Sequence, residues 1–208
     1  MLTIWGRATS TNVQKVLWAC DELGLTYERI DIGGAFGGTD EPSYRTKNPN
    51  GLIPTLEDDD FVLWESNAIL RYLAAGDAQC RLFPGDLNRR ERANIDRWMD
   101  WQLVSLGLTL RALFMLLHPR ADKAATAVEI AAATQNAADM FRILDTHLAT
   151  QRYVGGDRFT LGDIPVGVSA HRWFNLAVQR PVMPALETWY GRISGRTGFQ
   201  NVRALPLR

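Results

Sequence analysis

Two clusters of small polar residues stand where helices begin. Ser10-Thr11-Asn12 separates a short β-forming run from an amphipathic segment, and Glu65-Ser66 opens a later one. A helix N-terminus carries unpaired N–H groups and a partial positive charge, so it favours a bound anion. A hydroxyl there either caps the helix or donates to an anion such as a thiolate. Lowering a thiol pKa from about 8.5 by about two units takes roughly 2.7 kcal/mol. One charge-assisted hydrogen bond plus a helix dipole can supply that. Glu65-Ser66 offers a complementary pair: the serine N–H and hydroxyl take a carboxylate, and Glu65 takes an ammonium. An α-amino acid end group carries both charges.

The stretch between these clusters is Asn48 to Leu73, NPNGLIPTLEDDDFVLWESNAILRYL. Asn48-Pro49-Asn50-Gly51 is a turn, in which Pro49 sets the entry and Asn-Gly supplies positive φ. Ile53-Pro54-Thr55-Leu56 is an apolar strand. Proline cannot donate to a ladder, so Pro54 belongs at the strand's first position or on an edge. Phe61 to Trp64 forms a second strand after the acidic turn Asp58-Asp59-Asp60. The helix opened by Glu65-Ser66 has Ile69, Tyr72 and Leu73 on its apolar face. A helix N-terminal hydroxyl beside a strand that begins Ile-Pro is a place for a small anionic peptide to dock.

The elements that position these residues follow from periodicity. Leu2 to Trp5 is a strand. Val13, Val16, Leu17, Cys20 and Leu23 mark a helix that Gly24 ends. Tyr27 to Ile32 alternates and reads as a second strand, parallel to the first through a right-handed crossover. Pro42 to Lys47 is a loop or short helix, so the first unit reads β-α-β-(α)-β-β-α. Gly33 to Gly38 is a flexible loop and not a dinucleotide fingerprint, because no helix follows at the required spacing. Gly76 to Leu87 reads as a linker, with the domain boundaries at 1–79, 80–87 and 88–208. Beyond it no strand signal occurs. A long helix runs from Asn88 to about Leu117, stopped by His118-Pro119. An alanine-rich helix spans Asp122 to Thr150. Thr160-Leu161-Gly162-Asp163 is a capping box in its Asp form, followed by a helix through Val166, Ala170 and Phe174. Pro184 opens a last helix, and Gly195 to Arg208 is expected to be an irregular tail.

Totals narrow the class. The chain has 208 residues, 23 basic and 23 acidic, for a formal net charge of zero. That balance argues against a nucleic-acid partner. No apolar run approaches the roughly 18 residues of a membrane span, and no secretory signal is visible at the start of the chain. Cys20 and Cys80 belong to no metal or CxxC pattern, so a cytoplasmic protein is expected. His118, His147 and His171 share no ligand spacing, and the Asp58–Asp60 turn reads as solvated, so no metal is expected. Cys20 lies mid-helix on an apolar face and reads as core. Arg111, among Leu110, Ala112 and Leu113, reads equally as a surface charge or as part of a pocket or interface. Trp98 and Trp101 suggest a helix buried between elements or at a subunit interface.

Taken together, a Ser-x-Asn loop before the first helix, Asn-Pro-Asn-Gly-x-Ile-Pro, Trp-Glu-Ser-Asn-Ala-Ile-x-x-Tyr-Leu and a helical half with Thr-Leu-Gly-Asp-Ile resemble the cytosolic glutathione S-transferases. The resemblance covers essentially the whole chain and is nearest to the bacterial and theta-like members that set serine against the thiol. It implies an α/β thioredoxin-like N-terminal domain followed by an all-α C-terminal domain. It implies a cis peptide before Pro54, with the Ile53 backbone pairing to the cysteinyl unit of glutathione like an added strand. Glu65 and Ser66 would hold the γ-glutamyl end. Ser10 would stabilise the thiolate, with Asn12 assisting or substituting. Many relatives carry Lys, Gln or Arg before the Ile-Pro pair, facing the glycyl carboxylate. Here Leu52 stands there, leaving Asn50 and Thr39 as replacements.

A homodimer is implied, with the long helix near its interface. A small hydrophobic electrophile would bind in a cleft between the first loop and that helix. The expected activity is glutathione transfer. The rivals are a glutathione-dependent disulfide or peroxide reductase on the same site, and a non-catalytic binding or assembly module that keeps the fold.

Overall fold

A computed structural model describes residues 1–118 and 124–206 of the chain. They form two compact units, Met1–Leu87 with Gly195–Arg208, and Asn88–Ser194.

The first unit is built on four short strands, β1 (Leu2–Trp5), β2 (Tyr27–Ile30), β3 (Thr55–Asp58) and β4 (Phe61–Trp64), in the order β2-β1-β3-β4. β1 runs parallel to β2 and antiparallel to β3, and β4 returns antiparallel beside β3. The two-residue side-chain period puts Ile4 opposite Leu56, and both are completely buried. The register row Ile30–Trp5–Thr55–Trp64 marks one end of the sheet. Every candidate segment leaves from that end: Gly6–Ser10 after β1, Ile53–Pro54 before β3, and Glu65–Ser66 after β4.

Three helices accompany the sheet, α1 (Thr11–Leu23), the short α2 (Pro42–Arg45) and α3 (Ser66–Ala75). Gly24 closes α1 in the left-handed conformation at φ 62°, which a side chain would strain. The amphipathic pattern predicts one buried face for α1. Instead every residue from Val13 to Cys20 is buried, Gln14 and Lys15 included. The reason lies at the far end of the chain. Gly195 to Arg208, expected to be irregular and grouped with the helical half, belongs to the first unit and forms a helix at Thr197–Arg203. This helix packs on α1: Phe199 stacks on Trp18 with ring centroids 4.2 Å apart. Arg196 holds Glu22 through two bonds of 2.8 and 2.6 Å, and Asn201 donates to Asp21. Gly198 is required by the closeness, since a Cβ would sit 3.0 Å from the Trp18 ring.

The second unit is helical. α4 (Arg89–Trp101) is opened by a full capping box between Asn88 and Glu91. It continues through a π-helical stretch, Gln102–Leu106, into α5 (Gly107–Leu117). The periodicity predicts one long helix, and the π-helical insertion was not legible in it. The continuous helix Arg89–Leu117 holds an 18-residue window of mean hydropathy 1.3 that is long and apolar enough to cross a membrane by length and composition. Gln102, Ser105, Thr109 and Arg111 interrupt its apolar positions, so no uninterrupted apolar run reaches that length. The expected stop at Pro119 and the expected helix start at Asp122 lie outside the described residues. α6 spans Ala127–Leu148 behind a capping box between Thr126 and Glu129. α7 (Asp163–Asn175), α8 (Pro184–Ser194) and, in the first unit, α9 (Thr197–Arg203) complete the chain.

Asp163 is wholly buried at the first turn of α7. Its Oδ2 accepts from Thr160 N–H and Oγ1, and its Oδ1 accepts from Val154 N–H and Trp189 Nε1. Only half of the expected capping box is therefore present. The carboxylate returns to the Thr160 backbone, but the Thr160 hydroxyl donates to the carboxylate instead of capping an N–H.

Candidate functional site

The candidate site is assembled wholly within the first unit, at the sheet end marked by Trp5, Thr55 and Trp64. Its centre is the turn before β3. Gly51, at φ 62°, donates its N–H to Asn48 O, and Arg45 packs so closely that a Cβ on Gly51 would fall 2.4 Å from the guanidinium carbon. Asn48 is buried and holds the turn from inside: its Nδ2 donates to Leu52 O and Thr55 Oγ1. Tyr44, brought in by α2, donates to Leu52 O at 2.6 Å and bonds Thr55 Oγ1 at 2.9 Å. This buried polar clamp fixes the backbone on both sides of Ile53–Pro54, whose peptide bond is cis. Among the described residues, neither the N–H nor the C=O of Ile53 has a hydrogen-bond partner. A peptide lying alongside would find one donor and one acceptor there, the elements of strand addition.

The α1 N-terminus lies to one side. Gly6, at the end of β1, is pressed between Val13 of α1 and Ile53, whose Cβ would be 3.3 Å from a Cβ on Gly6. Ser10 is the N-cap residue by backbone geometry, and its carbonyl accepts from Gln14 N–H. Its side chain makes no capping hydrogen bond. The capping reading of that hydroxyl therefore does not describe this structure, and the half-buried Oγ stays free to donate. No acidic residue occupies the first turn of α1 to compete for an anion. Thr11 and Asn12 follow as the first two helical residues, both half-buried.

Glu65 and Ser66 lie at the start of α3. Glu65 is the N-cap at φ 73°, a conformation strained for a residue with a side chain, and its side chain is exposed. Ser66 is 3% exposed. Its Oγ accepts from Lys15 Nζ at 3.4 Å, a bond that joins α1 to α3 beneath the site. Thr39 is half-buried, with its methyl group against Gly33. Asn50 is exposed, and its amide is engaged within the turn, donating to Asn48 Oδ1. Leu52 is 64% exposed and offers no charge.

Two residues were missed by sequence reasoning. Arg7 sits half-buried in the loop after β1, with its guanidinium against Gly34, and no ion pair engages it among the described residues. Lys15 lies opposite the apolar face Val13, Val16, Leu17, Cys20 and Leu23 of α1, on the side that periodicity assigns to solvent, so no local signal marked its burial. Burial pushes its ammonium down to about 7 against the opposing pull of Glu65. Cys20, one turn further on, is buried, and burial pushes its thiol up to about 12, so it stays protonated and inert. Among the described residues no group of His, Cys, Asp and Glu side chains could hold a metal.

Comparison with known proteins converges on one family. The model of the glutathione S-transferase N-terminal domain matches residues 1–75, and that of the C-terminal domain matches residues 127–192. The chain is 38% identical over 209 residues to glutathione S-transferase GstB of Escherichia coli K12, covering all of both chains. This chain belongs to the glutathione S-transferase family. A solved structure of the theta class glutathione S-transferase from Xanthomonas axonopodis pv. citri, with glutathione bound, matches 100% of this chain and 99% of that one. The TM-score is 0.91 and the identity 44%. The glutathione S-transferase fold, a thioredoxin-like α/β domain and a helical domain, is thus shared at full length. The disulfide-bond oxidoreductase YfcG of Escherichia coli is also similar, 27% identical over 91% of this chain and 88% of its own.

Proposed function

We propose that the protein is a glutathione S-transferase that binds glutathione at the sheet end described above and stabilises its thiolate for attack on a hydrophobic electrophile. The observation that carries this reading is the unpaired Ile53 backbone flanked by two helix N-termini. The cysteinyl unit pairs with Ile53 beside Pro54. The γ-glutamyl end then meets α3, where Ser66 takes its carboxylate and Glu65 its ammonium. The glycyl carboxylate runs toward the 33–39 loop, where Thr39 and Arg7 receive it. Asn50 contributes less, since its amide already serves the turn.

The thiol gives up its proton to solvent, and its sulfur accepts a hydrogen bond from Ser10 Oγ at the positive end of α1, with Asn12 two residues on. The thiolate then forms a carbon–sulfur bond as the leaving group departs with its electron pair. The enzyme supplies orientation and charge stabilisation. The first unit, Met1–Leu87 with Gly195–Arg208, is the glutathione domain, and the helical unit supplies the electrophile pocket. The exposed stripe Val104, Leu108 and Met115 on the long helix, with the exposed Arg111 between them, supports a homodimer formed through this helix. A cytoplasmic location fits the two free cysteines.

The test is retention on immobilised glutathione, then turnover of chlorodinitrobenzene by wild type and Ser10→Ala. Wild type should bind and turn over, and Ser10→Ala should bind and lose rate. A protein that neither binds glutathione nor conjugates any electrophile sinks the reading. If Asn12→Ala loses more than Ser10→Ala, the two roles are exchanged. The similarity to YfcG supports a second reading, disulfide exchange. No cysteine lies in the first loop, so that exchange would run through the sulfur of glutathione. Reduction of a glutathione mixed disulfide faster than conjugation would favour it.

A further inference from the structure

Lys15 is a charge placed where a soluble protein rarely puts one. It is 1% exposed, in the middle of α1, and its Nζ reaches Ser66 Oγ. Among the described residues this is its one hydrogen bond. An ammonium has three donors and no acceptor, so Ser66 Oγ must be the acceptor in this pair. The hydroxyl proton of Ser66 is then directed away from Lys15. We propose that Lys15 is a positioning residue that makes Ser66 a donor to the γ-glutamyl α-carboxylate of bound glutathione. The inference rests on the glutathione reading and deepens it at one subsite. The chain runs from Lys15 N–H to Ser66 O–H to the carboxylate, and each donor polarises the next. A neutral Lys15 amine has a lone pair and can instead accept from Ser66, which turns the hydroxyl inward and removes a donor from the ligand.

The surroundings fit a group whose charge depends on the ligand. α3 and α9 pack against α1. Their charged groups are Glu65 and Arg71 on the α3 side, and Arg196 and Arg203 on the α9 side; α1 itself adds Asp21 and Glu22. Arg196 is bound to Glu22, and Asn201 to Asp21. Glu65 is the charge that acts on Lys15, and burial outweighs it. A carboxylate arriving on Ser66 adds a second anion and draws a proton onto Lys15. Glutathione binding and Lys15 protonation are therefore linked.

The experiment counts protons. S-methylglutathione, whose blocked sulfur cannot ionise, is titrated into wild type by calorimetry near pH ~7.5 in two buffers of different ionisation enthalpy. The expected result is uptake of about half a proton or more. Lys15→Arg, permanently charged, should bind without uptake. Lys15→Met should raise the KM for glutathione about tenfold, change kcat less than about twofold, and lose the alkaline rise of KM expected of wild type. Ser66→Ala added to Lys15→Met should cost little more.

Wild type that binds S-methylglutathione without proton uptake overturns the proposal, whether or not any variant folds. Uptake that persists in Lys15→Arg overturns it as well. Wild type that binds neither S-methylglutathione nor glutathione refutes the glutathione reading itself, and the inference with it.

Discussion

Asp163→Ala removes the one acceptor shared by four buried donors. Val154 and Trp189 give their protons to Oδ1, and the backbone and hydroxyl of Thr160 give theirs to Oδ2. All three residues are at most 3% exposed, so water does not replace the carboxylate without rearrangement. At about 1–1.5 kcal/mol for each orphaned donor, the loss is on the order of 4–6 kcal/mol. That is a large part of the roughly 5–15 kcal/mol that holds a typical domain. Asp163→Asn keeps an oxygen at one position. With that oxygen at Oδ1, Val154 and Trp189 stay paired while the new amide faces Thr160, and the expected cost is about half.

The assay is urea unfolding at fixed protein concentration, followed by tryptophan fluorescence. Burial pushes the Asp163 carboxyl up to about 6 although its four donors pull it down. Its folded pKa exceeds the unfolded value, so the folded state holds the proton more firmly between pH ~4 and ~6. Its contribution to stability is full below the unfolded value and falls as pH rises through that window. Asp163→Asn should flatten this part of the profile. An Asp163→Ala protein within about 1 kcal/mol of wild type would refute the accounting.

Further outcomes follow from other contacts. Ser10→Ala should lower kcat/KM about 10–100-fold near neutral pH and regain part of it at alkaline pH, where the thiol ionises unaided; a pH-independent loss would point to misplaced glutathione instead. Phe199→Ala should destabilise the protein by about 3–5 kcal/mol, because it empties the stack on Trp18; thermal unfolding checks this, and a neutral result would mean that α9 is not part of the first unit's core. The folded pKa of Lys15, about 7, lies below its ordinary 10.5, so the unfolded chain binds more protons between those values. Stability should therefore rise with pH across that window, by at most about 1.4 kcal/mol per unit, and Lys15→Met should remove the slope and be more stable at neutral pH.

Much of the fold was legible because its signals are local. Gly24 after an apolar helical face and the parallel pairing of Tyr27–Ile30 with β1 each follow from a few neighbouring residues. So does the hairpin around Asp59-Asp60. The two misreadings have different causes. Thr197–Arg203 shows little amphipathic pattern of its own and is a helix because Trp18, Asp21 and Glu22, far away in the chain, receive it. The π-helical stretch at Gln102–Leu106 leaves the hydrophobic spacing nearly unchanged, so periodicity passes over it.

At the site the division is sharper. The amino-acid sequence by itself determined which chemistry is on offer: two helix N-termini carrying hydroxyls, a turn ending in Ile-Pro and an acid beside a serine. Those are local choices of residue type, and their spacing carries the family resemblance. Only the tertiary structure decided how these groups combine. Strand register brings residues 10, 53 and 65 to one end of the sheet. The clamp of Tyr44, Asn48 and Thr55 leaves the Ile53 backbone unpaired. α3 closes over α1 on one side and α9 on another, so Lys15 loses its water and is left facing Ser66. Burial and charge are properties of the surroundings, and residues distant in sequence supply those surroundings.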